Sequence, residues 1–267
     1  MKKLSLKESQ GLQIELMKQI HNVCEINGIT YYLIAGSCLG AIRHGGFIPW
    51  DDDIDIGMMR SDYEKFIQVF SSSMNEEKYH LQNYRTEPKV HFALSRICIK
   101  GTYYYNEKTE KMDINHSAYI DLFPLDNVPD NSISRKIQHY CYYLLKLLIV
   151  SRTQKFQKKK SIIFFSFMRL IAKLFPLNTL HKYRDYIMSL YKNNQTKCVC
   201  SIASKYSHKK QTISRKIYGN PHKVKFEDTY FNVPENTDAY LRQLYGKNYM
   251  QLPPVEKRVE PHPIFIE

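Results

Sequence analysis

The chain has 267 residues, enough to bury a substantial core as one domain or as a domain with an insertion. An apolar fraction of 43% and 21 tyrosines exclude a disordered chain. The net charge of +13 indicates anionic partners, such as nucleotides, phosphorylated glycans, lipid headgroups or nucleic acid. Charge alone does not choose among these classes.

The cysteines and the first residues of the chain bear on its compartment. Cys24, Cys38 and Cys98 lie among apolar residues and are predicted to be small core residues. Cys198 and Cys200 have no second pair at zinc spacing, which argues against a structural zinc site. The chain starts with an amphipathic helix rather than an apolar leader, and no uncharged run is long enough to span a bilayer. We therefore expect a reducing, cytoplasmic location.

The first helix is predicted over residues 8–27, because apolar residues recur at helical spacing and Gly28 follows as a stop. A short aromatic and apolar strand is predicted next, at residues 31–35. This strand leads directly into the most informative part of the chain.

A glycine–serine pair follows the strand at residues 31–35. Gly36 allows the backbone to turn closely, and Ser37 is predicted to cap a short helix. The free amides at such a helix start favour phosphate binding, both as hydrogen-bond donors and through the helix dipole. Arg43 and His44 follow at the end of the helix, and we assign them to the same phosphate site.

Carboxylates alternate with isoleucine over Asp53, Ile54, Asp55 and Ile56. In an extended strand, the two aspartates point to one face and the two isoleucines face a core. Two carboxylates about 7 Å apart on one face repel each other unless a cation lies between them. Oxygen ligands of this kind suit Mg²⁺ or Mn²⁺ completed by substrate phosphates, which predicts metal-dependent transfer of a phosphorus-containing group.

These motifs resemble a known family. The glycine–serine pair before a strand with two aspartates is similar to the signature of the DNA polymerase beta-like nucleotidyltransferase superfamily. Residues 33–57, which include RHGGFIPWDDDIDIG, resemble the LicD family of phosphocholine transferases. Further similarity lies at residues 119–126, 245–246 and 253–254. The resemblance covers both ends of the chain and leaves its middle unaccounted for.

The resemblance implies a third carboxylate. In the superfamily, an aspartate on a neighbouring strand completes the metal site and can act as the general base, and this role would fall to Asp121. Its neighbours Ile120 and Leu122 bury one strand face, so Asp121 turns to the other. Asp51 matches the family string and is either an outer partner of the site or a solvated loop charge. Asp126 is predicted to lie in a turn.

Three cations are further candidates for phosphate binding. Arg96 lies in the middle of a predicted strand over residues 90–99, where an unpaired charge is costly, so it should meet an anion. That anion is either a substrate phosphate or a site aspartate. In the family, the segment that matches the tail lies near the active site, which implies that Lys257 or Arg258 contacts donor phosphates. A solvated tail is the alternative.

The remaining pattern indicates an α+β fold. A capping box at residues 61–64 predicts a helix, residues 103–105 and 118–123 predict strands, and a hairpin is expected at residues 223–233. A last helix is predicted from Thr237 to the stop at Gly246. Together with the resemblance, these elements imply a nucleotidyltransferase-like core with a small mixed β-sheet flanked by helices, plus a helical insertion.

The composition changes along the chain and divides it into three predicted parts. Residues 1–131 form the catalytic core, residues 132–194 a basic, apolar helical insertion, and residues 195–267 a C-terminal segment that completes the core and the active site. The insertion is expected either to pack on the core or to lie on the inner face of the cell membrane, and the two are compatible.

The predicted function is transfer of a phosphocholine-type group from a CDP-activated donor, CDP-choline above all, to a sugar hydroxyl of a cell-surface glycan or glycolipid precursor of teichoic acid, capsule or lipopolysaccharide type. The donor headgroup is implied by the family; CDP-ribitol and CDP-glycerol are alternatives. A nucleotidyltransferase that transfers a nucleoside monophosphate would use the same carboxylates. A nucleic-acid-binding protein would explain the charge but not the clustered carboxylates, which repel phosphates without metal.

Overall fold

The computed structural model describes residues 1–107, 109–154, 159–258 and 260–266. The helices are α1 (Leu6–Asn27), α2 (Ala35–His44), α3 (Arg60–Ser73), α4 (Ser132–Thr153), α5 (Lys159–Ala172), α6 (Leu177–Ser189), α7 (His208–Gln211), α8 (Arg215–Tyr218) and α9 (Thr237–Tyr245), followed by a 3-10 turn at Val255–Lys257. The strands are β1 (Lys2–Lys3), β2 (Tyr32–Leu33), β3 (Asp55–Met59), β4 (Tyr79–Gln82), β5 (Ser95–Ile99), β6 (Thr102–Tyr104), β7 (Tyr119–Val128), β8 (Cys198–Cys200), β9 (Thr212–Ser214), β10 (His222–Phe226), β11 (Thr229–Val233) and β12 (Ile264–Ile266).

The central sheet is mixed and has the strand order β2-β3-β7-β5-β4, with β8 paired to β7 and β9 paired to β8. Strands β3 and β7 run parallel, and the other neighbours in this sheet are antiparallel. A second sheet, β1-β12-β6, joins the two ends of the chain, and β10 and β11 form a hairpin. The α+β fold with a small mixed sheet and flanking helices is confirmed.

The first helix shows how local signals set an element. The Ser5 hydroxyl accepts a hydrogen bond from the Glu8 amide, and the Glu8 carboxylate accepts one from the Ser5 amide at 2.7 Å, so α1 begins at a capping box two residues before the predicted start. Its predicted end is confirmed, because Gly28 adopts a left-handed φ of 58°. The three cysteines assigned to the core, Cys24, Cys38 and Cys98, are buried as predicted.

Two local predictions are wrong. The capping box at residues 61–64 does not form, because α3 already begins at Arg60. Asp126 is not a turn residue: it lies inside β7, fully buried, and accepts hydrogen bonds of 2.6 and 2.8 Å from the Arg60 guanidinium. This ion pair joins α3 to β7 across 66 positions of sequence, so a local pattern does not reveal it.

Helix α6, in the predicted helical insertion, is attached to the rest of the chain by a buried arginine. Arg184 on α6 is 1% exposed and donates hydrogen bonds of 2.6 Å to the main-chain oxygens of His91 and Phe92, just before β5. Helix α4 packs against both α5 and α6.

Within the described residues, no single helix has both the length and the apolar character needed to cross a bilayer. The pair Ser161–Ala172 and Leu177–Ser189, bent by 95°, meets that test jointly by length and composition.

The loop after α2 folds back over the helix, and two glycines allow this close approach. The Gly46 amide donates to the Gly40 carbonyl, and a Cβ added at Gly40 would overlap the Gly46 carbonyl oxygen. Glu227, at the turn of the β10–β11 hairpin, accepts a hydrogen bond of 2.9 Å from the Phe47 amide. The loop is thus held on both sides before it reaches the acidic residues at positions 51–55.

Replacing Gly40 with alanine should lower the free energy of unfolding by about 2 kcal/mol, because the new methyl group meets a backbone atom that cannot move independently. Gly11→Ala on α1 is the matched control, since nothing lies within 4 Å of its added Cβ and the helix propensity of alanine should stabilise it by up to about 1 kcal/mol. Urea unfolding of both variants measures the difference. Equal stability changes in the two variants would contradict the packing described for the loop.

Candidate active site

Asp55 and Asp121 lie side by side at the centre of the sheet. Parallel pairing of β3 and β7 makes them Cα partners, and adjacent strands are about 4.8 Å apart. Asp53 lies two residues before Asp55, the first residue of β3, while Ile54 and Ile56 are fully buried. The predicted alternation of core isoleucines and outward aspartates is confirmed. The structure also brings Asp121 from β7 to the same place.

Three consecutive aspartates form the loop that enters β3. Ligand oxygens of Asp51, Asp52 and Asp53 all lie within 4.8 Å of one another. Asp52 is held from the C-terminal segment, because its carboxylate accepts a hydrogen bond of 2.6 Å from the His262 amide. An added Cβ at Gly36 would lie 2.9 Å from Oδ2 of Asp51, so the missing side chain there makes room for this carboxylate. The structure therefore places Asp51 beside the start of α2.

The start of α2 differs from the prediction. The helix begins at Ala35 rather than after Ser37, with Ile34 as its N-terminal cap and a left-handed φ of 47° at Ala35. The Ser37 hydroxyl does not cap the helix, because it accepts a hydrogen bond of 2.8 Å from the Asp55 amide instead. Ser37 thus fixes the first residue of β3 against the first turn of α2, where backbone amides lack intrahelical acceptors.

Arg96 meets a site aspartate. Its Nε donates a hydrogen bond of 2.9 Å to Oδ1 of Asp121, its cross-strand partner on β5 and β7. The guanidinium lies between two rings, 4.3 Å from the centre of Phe92 and 3.7 Å from that of Tyr119. Since Arg184 holds the Phe92 carbonyl, the helical insertion also contributes to the position of Arg96. Contact of Arg96 with a substrate phosphate stays a prediction.

The pKa values show that the aspartates resist carrying their charges together. Burial, followed by repulsion from Asp121, raises the pKa of Asp55 to about 8. Burial and then Asp55, Asp51, Asp52 and Asp121 raise the pKa of Asp53 well above its ordinary value. For Asp121, burial raises the pKa although Arg96 opposes it. Clustered carboxylate oxygens that repel one another are a donor set that fits a hard divalent cation.

Lys205 is a functional candidate that the sequence did not reveal. It is exposed in the segment after β8. Desolvation disfavours the charged form of the Lys205 ammonium. Attraction to the carboxylates of Asp55, Asp53 and Asp51 outweighs this, so the pKa of Lys205 is raised. No local motif marks this lysine, because its approach to the carboxylates depends on the path of the chain after the insertion.

Two tyrosines that the sequence did not single out lie near the acidic cluster, by which we mean Asp51, Asp52, Asp53, Asp55 and Asp121. Tyr206, next to Lys205, donates a hydrogen bond of 3.1 Å to the hydroxyl of Tyr245. The rings of these two tyrosines meet edge to face with their centres 6.0 Å apart. Burial raises the pKa of Tyr245, and the nearby Asp55 and Asp51 add to the effect. The cluster therefore has aromatic neighbours contributed by the C-terminal segment.

The remaining predicted cations lie toward the C-terminal segment. Arg43 donates hydrogen bonds of 3.0 and 3.2 Å from Nη1 to the carbonyls of Tyr249 and Gln251, and its Nε donates to His44. Arg43 is seven residues from Gly36, about 10 Å along α2, so the two occupy opposite ends of the helix. The phosphate contacts assigned to Arg43 and His44 stay predictions.

The tail reaches the loop that carries the aspartates. Arg258 lies over the ring of Trp50, 4.3 Å from the ring centre. Trp50 immediately precedes Asp51 in the sequence. Lys257 is exposed in the 3-10 turn. The contact with Trp50 brings Arg258 next to the loop of Asp51, Asp52 and Asp53. Contact of Lys257 or Arg258 with donor phosphates stays a prediction.

Comparison with known proteins finds related chains. A family model described as "LicD/FKTN/FKRP, nucleotidyltransferase domain" matches residues 28–164. The lipopolysaccharide cholinephosphotransferase LicD of Haemophilus influenzae is 28% identical over 266 residues, which cover 99% of this chain and 98% of that protein. The ribitol 5-phosphate transferase FKRP of Homo sapiens is 46% identical over 48 residues, 18% of this chain and 10% of that protein.

Without a divalent cation, the free energy of unfolding should fall as pH rises from about 5 to 8. Asp55 has a pKa of about 8 in the folded chain, whereas an aspartate in an unfolded chain titrates near 4, so the folded state holds the extra proton in this window. Added Mg²⁺ should therefore raise the melting temperature more at pH 8 than at pH 6, by about 3 °C or more. Asp55→Asn is the control and should flatten the pH dependence in EDTA. A melting temperature that rises with pH in EDTA would refute this electrostatic account.

Proposed function

The chain belongs to the LicD/FKTN/FKRP nucleotidyltransferase family, and from this premise we propose that it is a phosphotransferase that moves a phospho-alcohol group to a glycan hydroxyl. The observation that carries the proposal is the register of Asp55 and Asp121 on parallel strands, with Asp53 beside them. The full-length similarity to a lipopolysaccharide cholinephosphotransferase supports the same class of reaction.

The donor is proposed to be a CDP-alcohol, with CDP-choline as the first choice. A sugar hydroxyl attacks the phosphorus that carries the alcohol, a new oxygen–phosphorus bond forms, the pyrophosphate bond breaks, and CMP leaves. The hydroxyl proton passes to a carboxylate, and we assign this role to Asp121. Its raised pKa suits a proton acceptor, and its hydrogen bond to Arg96 keeps Oδ1 in a fixed place. The acceptor is a cell-surface glycan or its glycolipid precursor.

The carboxylates of Asp53, Asp55 and Asp121 would hold a divalent cation, Mg²⁺ or Mn²⁺, with Asp51 as an outer partner. When bound, the cation would neutralise the donor phosphates and the charge that builds on the reacting oxygens. The chain itself contributes the positions of these groups: Ser37 fixes Asp55 through its amide, His262 fixes Asp52, and Gly36 leaves space for Asp51. This preorganisation lowers the cost of collecting like charges before the donor arrives.

The identity of the alcohol depends on the aromatic neighbours of the site. Rings attract a quaternary ammonium through their π faces, and Tyr206 and Tyr245 meet edge to face near the carboxylates. This arrangement supports choline. Ribitol phosphate is the alternative that the short, 46% identical match to FKRP supports. A nucleotidyltransferase reaction would use the same carboxylates and would leave a nucleoside monophosphate on the acceptor.

Incubation of the protein with CDP-choline, CDP-ribitol or CDP-glycerol and Mg²⁺ should release CMP with one donor, faster when a glycan acceptor is present. Asp53→Asn and Asp55→Asn should each lower the rate by about a thousandfold or more, because each variant removes a charge that the cation requires. Circular dichroism checks that both variants fold. The product mass separates the mechanisms, since phospho-alcohol and nucleotide additions differ. Unchanged turnover in either variant, or CMP release that persists in EDTA, would refute the assignment.

Lys205→Met should lower kcat/KM by about a hundredfold, because an ammonium near Asp55, Asp53 and Asp51 would also meet the phosphate charge of a donor bound there and of departing CMP. Lys209→Met is the matched control, an exposed lysine four residues away on α7, and should keep activity within about twofold. Steady-state kinetics with the CDP-alcohol from the panel measures both. Equal rates for the Lys205 variant and the wild type would remove Lys205 from the proposed site.

A further inference from the structure

Helix α5 exposes an apolar stripe whose other side is already packed. Ile163, Phe167 and Leu170 on α5, with Leu174 two residues beyond its end, follow the spacing of one helical face and are each between 62% and 76% exposed. On the opposite side of the same helix, Met168 and Ala172 are buried in a cluster with α4 and α6 residues. The exposed stripe is therefore a second apolar face, which the described part of the chain leaves uncovered. Contiguous apolar surface of this kind marks a binding face.

Helix α4 carries another exposed apolar stripe. Four residues at helical spacing near its start are also exposed: Ile133, Ile137, Tyr140 and Leu144. Further along the same face, Leu148 is buried against α5. The exposed half of the stripe on α4 thus continues directly into the contact between the two helices. We call these eight exposed apolar residues, four from each stripe, the α4–α5 face.

The charge of this region restricts what can cover the face. Between residues 131 and 184, the sequence has twelve lysine and arginine residues and no aspartate or glutamate, which accounts for nearly all of the net charge of +13. Within it, Arg152 donates a hydrogen bond of 2.7 Å to the carbonyl of Phe175, and Arg169 donates one of 2.6 Å to that of Ser151. These bonds join the two helices but leave both positive charges without a carboxylate from this region. A second copy of the chain would bring the same charge to the face and be repelled.

From the α4–α5 face and the charge around it, we infer that the helical insertion docks on an anionic lipid bilayer and buries the face among the headgroups. Exposed aromatic and aliphatic residues combined with lysines and arginines are the chemistry that such a surface recognises. Helix α5 has 14 residues, about 21 Å, which is shorter than the hydrocarbon core of a bilayer, so it lies in the surface. Helix α6 stays with the protein, because Arg184 and Met188 are buried.

The inference is tested by sedimentation of the full chain with vesicles of phosphatidylcholine that contain about 30% phosphatidylglycerol. The wild type should sediment with these vesicles, less with pure phosphatidylcholine, and less at high salt. A triple variant, Ile163→Gln, Phe167→Gln and Leu170→Gln, should partition at least about tenfold more weakly. Ile26→Gln is the matched control, because it removes a highly exposed isoleucine at the end of α1, outside the region, and should bind as the wild type does.

The outcomes separate this inference from the proposed reaction. The triple variant should still release CMP from the soluble donor, because its substituted residues lie outside the acidic cluster. Failure of CMP release in the wild type would count against the proposed reaction alone. A wild type that stays in the supernatant, or a triple variant that binds vesicles as tightly as the wild type, would overturn the inference. Light scattering provides the last check: a wild-type dimer that the triple variant abolishes, without vesicle binding, would show that a second copy covers the face.

Discussion

The main physical constraint on this structure is that several aspartate carboxylates lie close together in a partly buried site. Asp53, Asp55 and Asp121 come from a loop and two parallel strands, and burial raises the pKa of each. Repulsion from neighbouring aspartates adds to this for Asp53 and Asp55, whereas Arg96 opposes it for Asp121. Such an arrangement weakens a fold that has no compensating charge nearby. A bound cation would offset the repulsion, and we therefore interpret these carboxylates as a proposed site of chemistry rather than as structural support.

The surrounding residues can be understood as supports for that cluster. Arg96 gives Asp121 a counter-charge and is itself held between two rings, one of which belongs to Phe92, whose carbonyl Arg184 binds from the helical insertion. From the other end of the chain, the His262 amide binds Asp52. The site thus depends on segments far apart in sequence, and the insertion contributes to it through its buried side while its outer face stays apolar and basic.

The two sides of the insertion suggest how the proposed reaction and the membrane would be linked. The inner side, through Arg184, supports the strand that carries Arg96. The outer side carries the exposed α4–α5 face, for which we propose an anionic surface as partner. A glycolipid acceptor remains anchored in a bilayer by its lipid, so an enzyme held on that surface would meet it at high effective concentration. A soluble donor would reach the same site from water.

The sequence by itself determined the features that depend on local periodicity and spacing. Alternation of aspartate with isoleucine placed Asp53 and Asp55 opposite a core, Gly28 ended α1, and the family motif identified the reaction class before any contact was known. The tertiary structure alone decided which long-range partners these residues meet. Ser37 binds the Asp55 amide instead of capping α2, Asp126 pairs with Arg60 inside the sheet, and Lys205 comes to the carboxylates from the far side of the insertion. The physical reason is that a hydrogen bond or ion pair between distant segments depends on the packing of the whole chain, which residue spacing along the sequence does not encode.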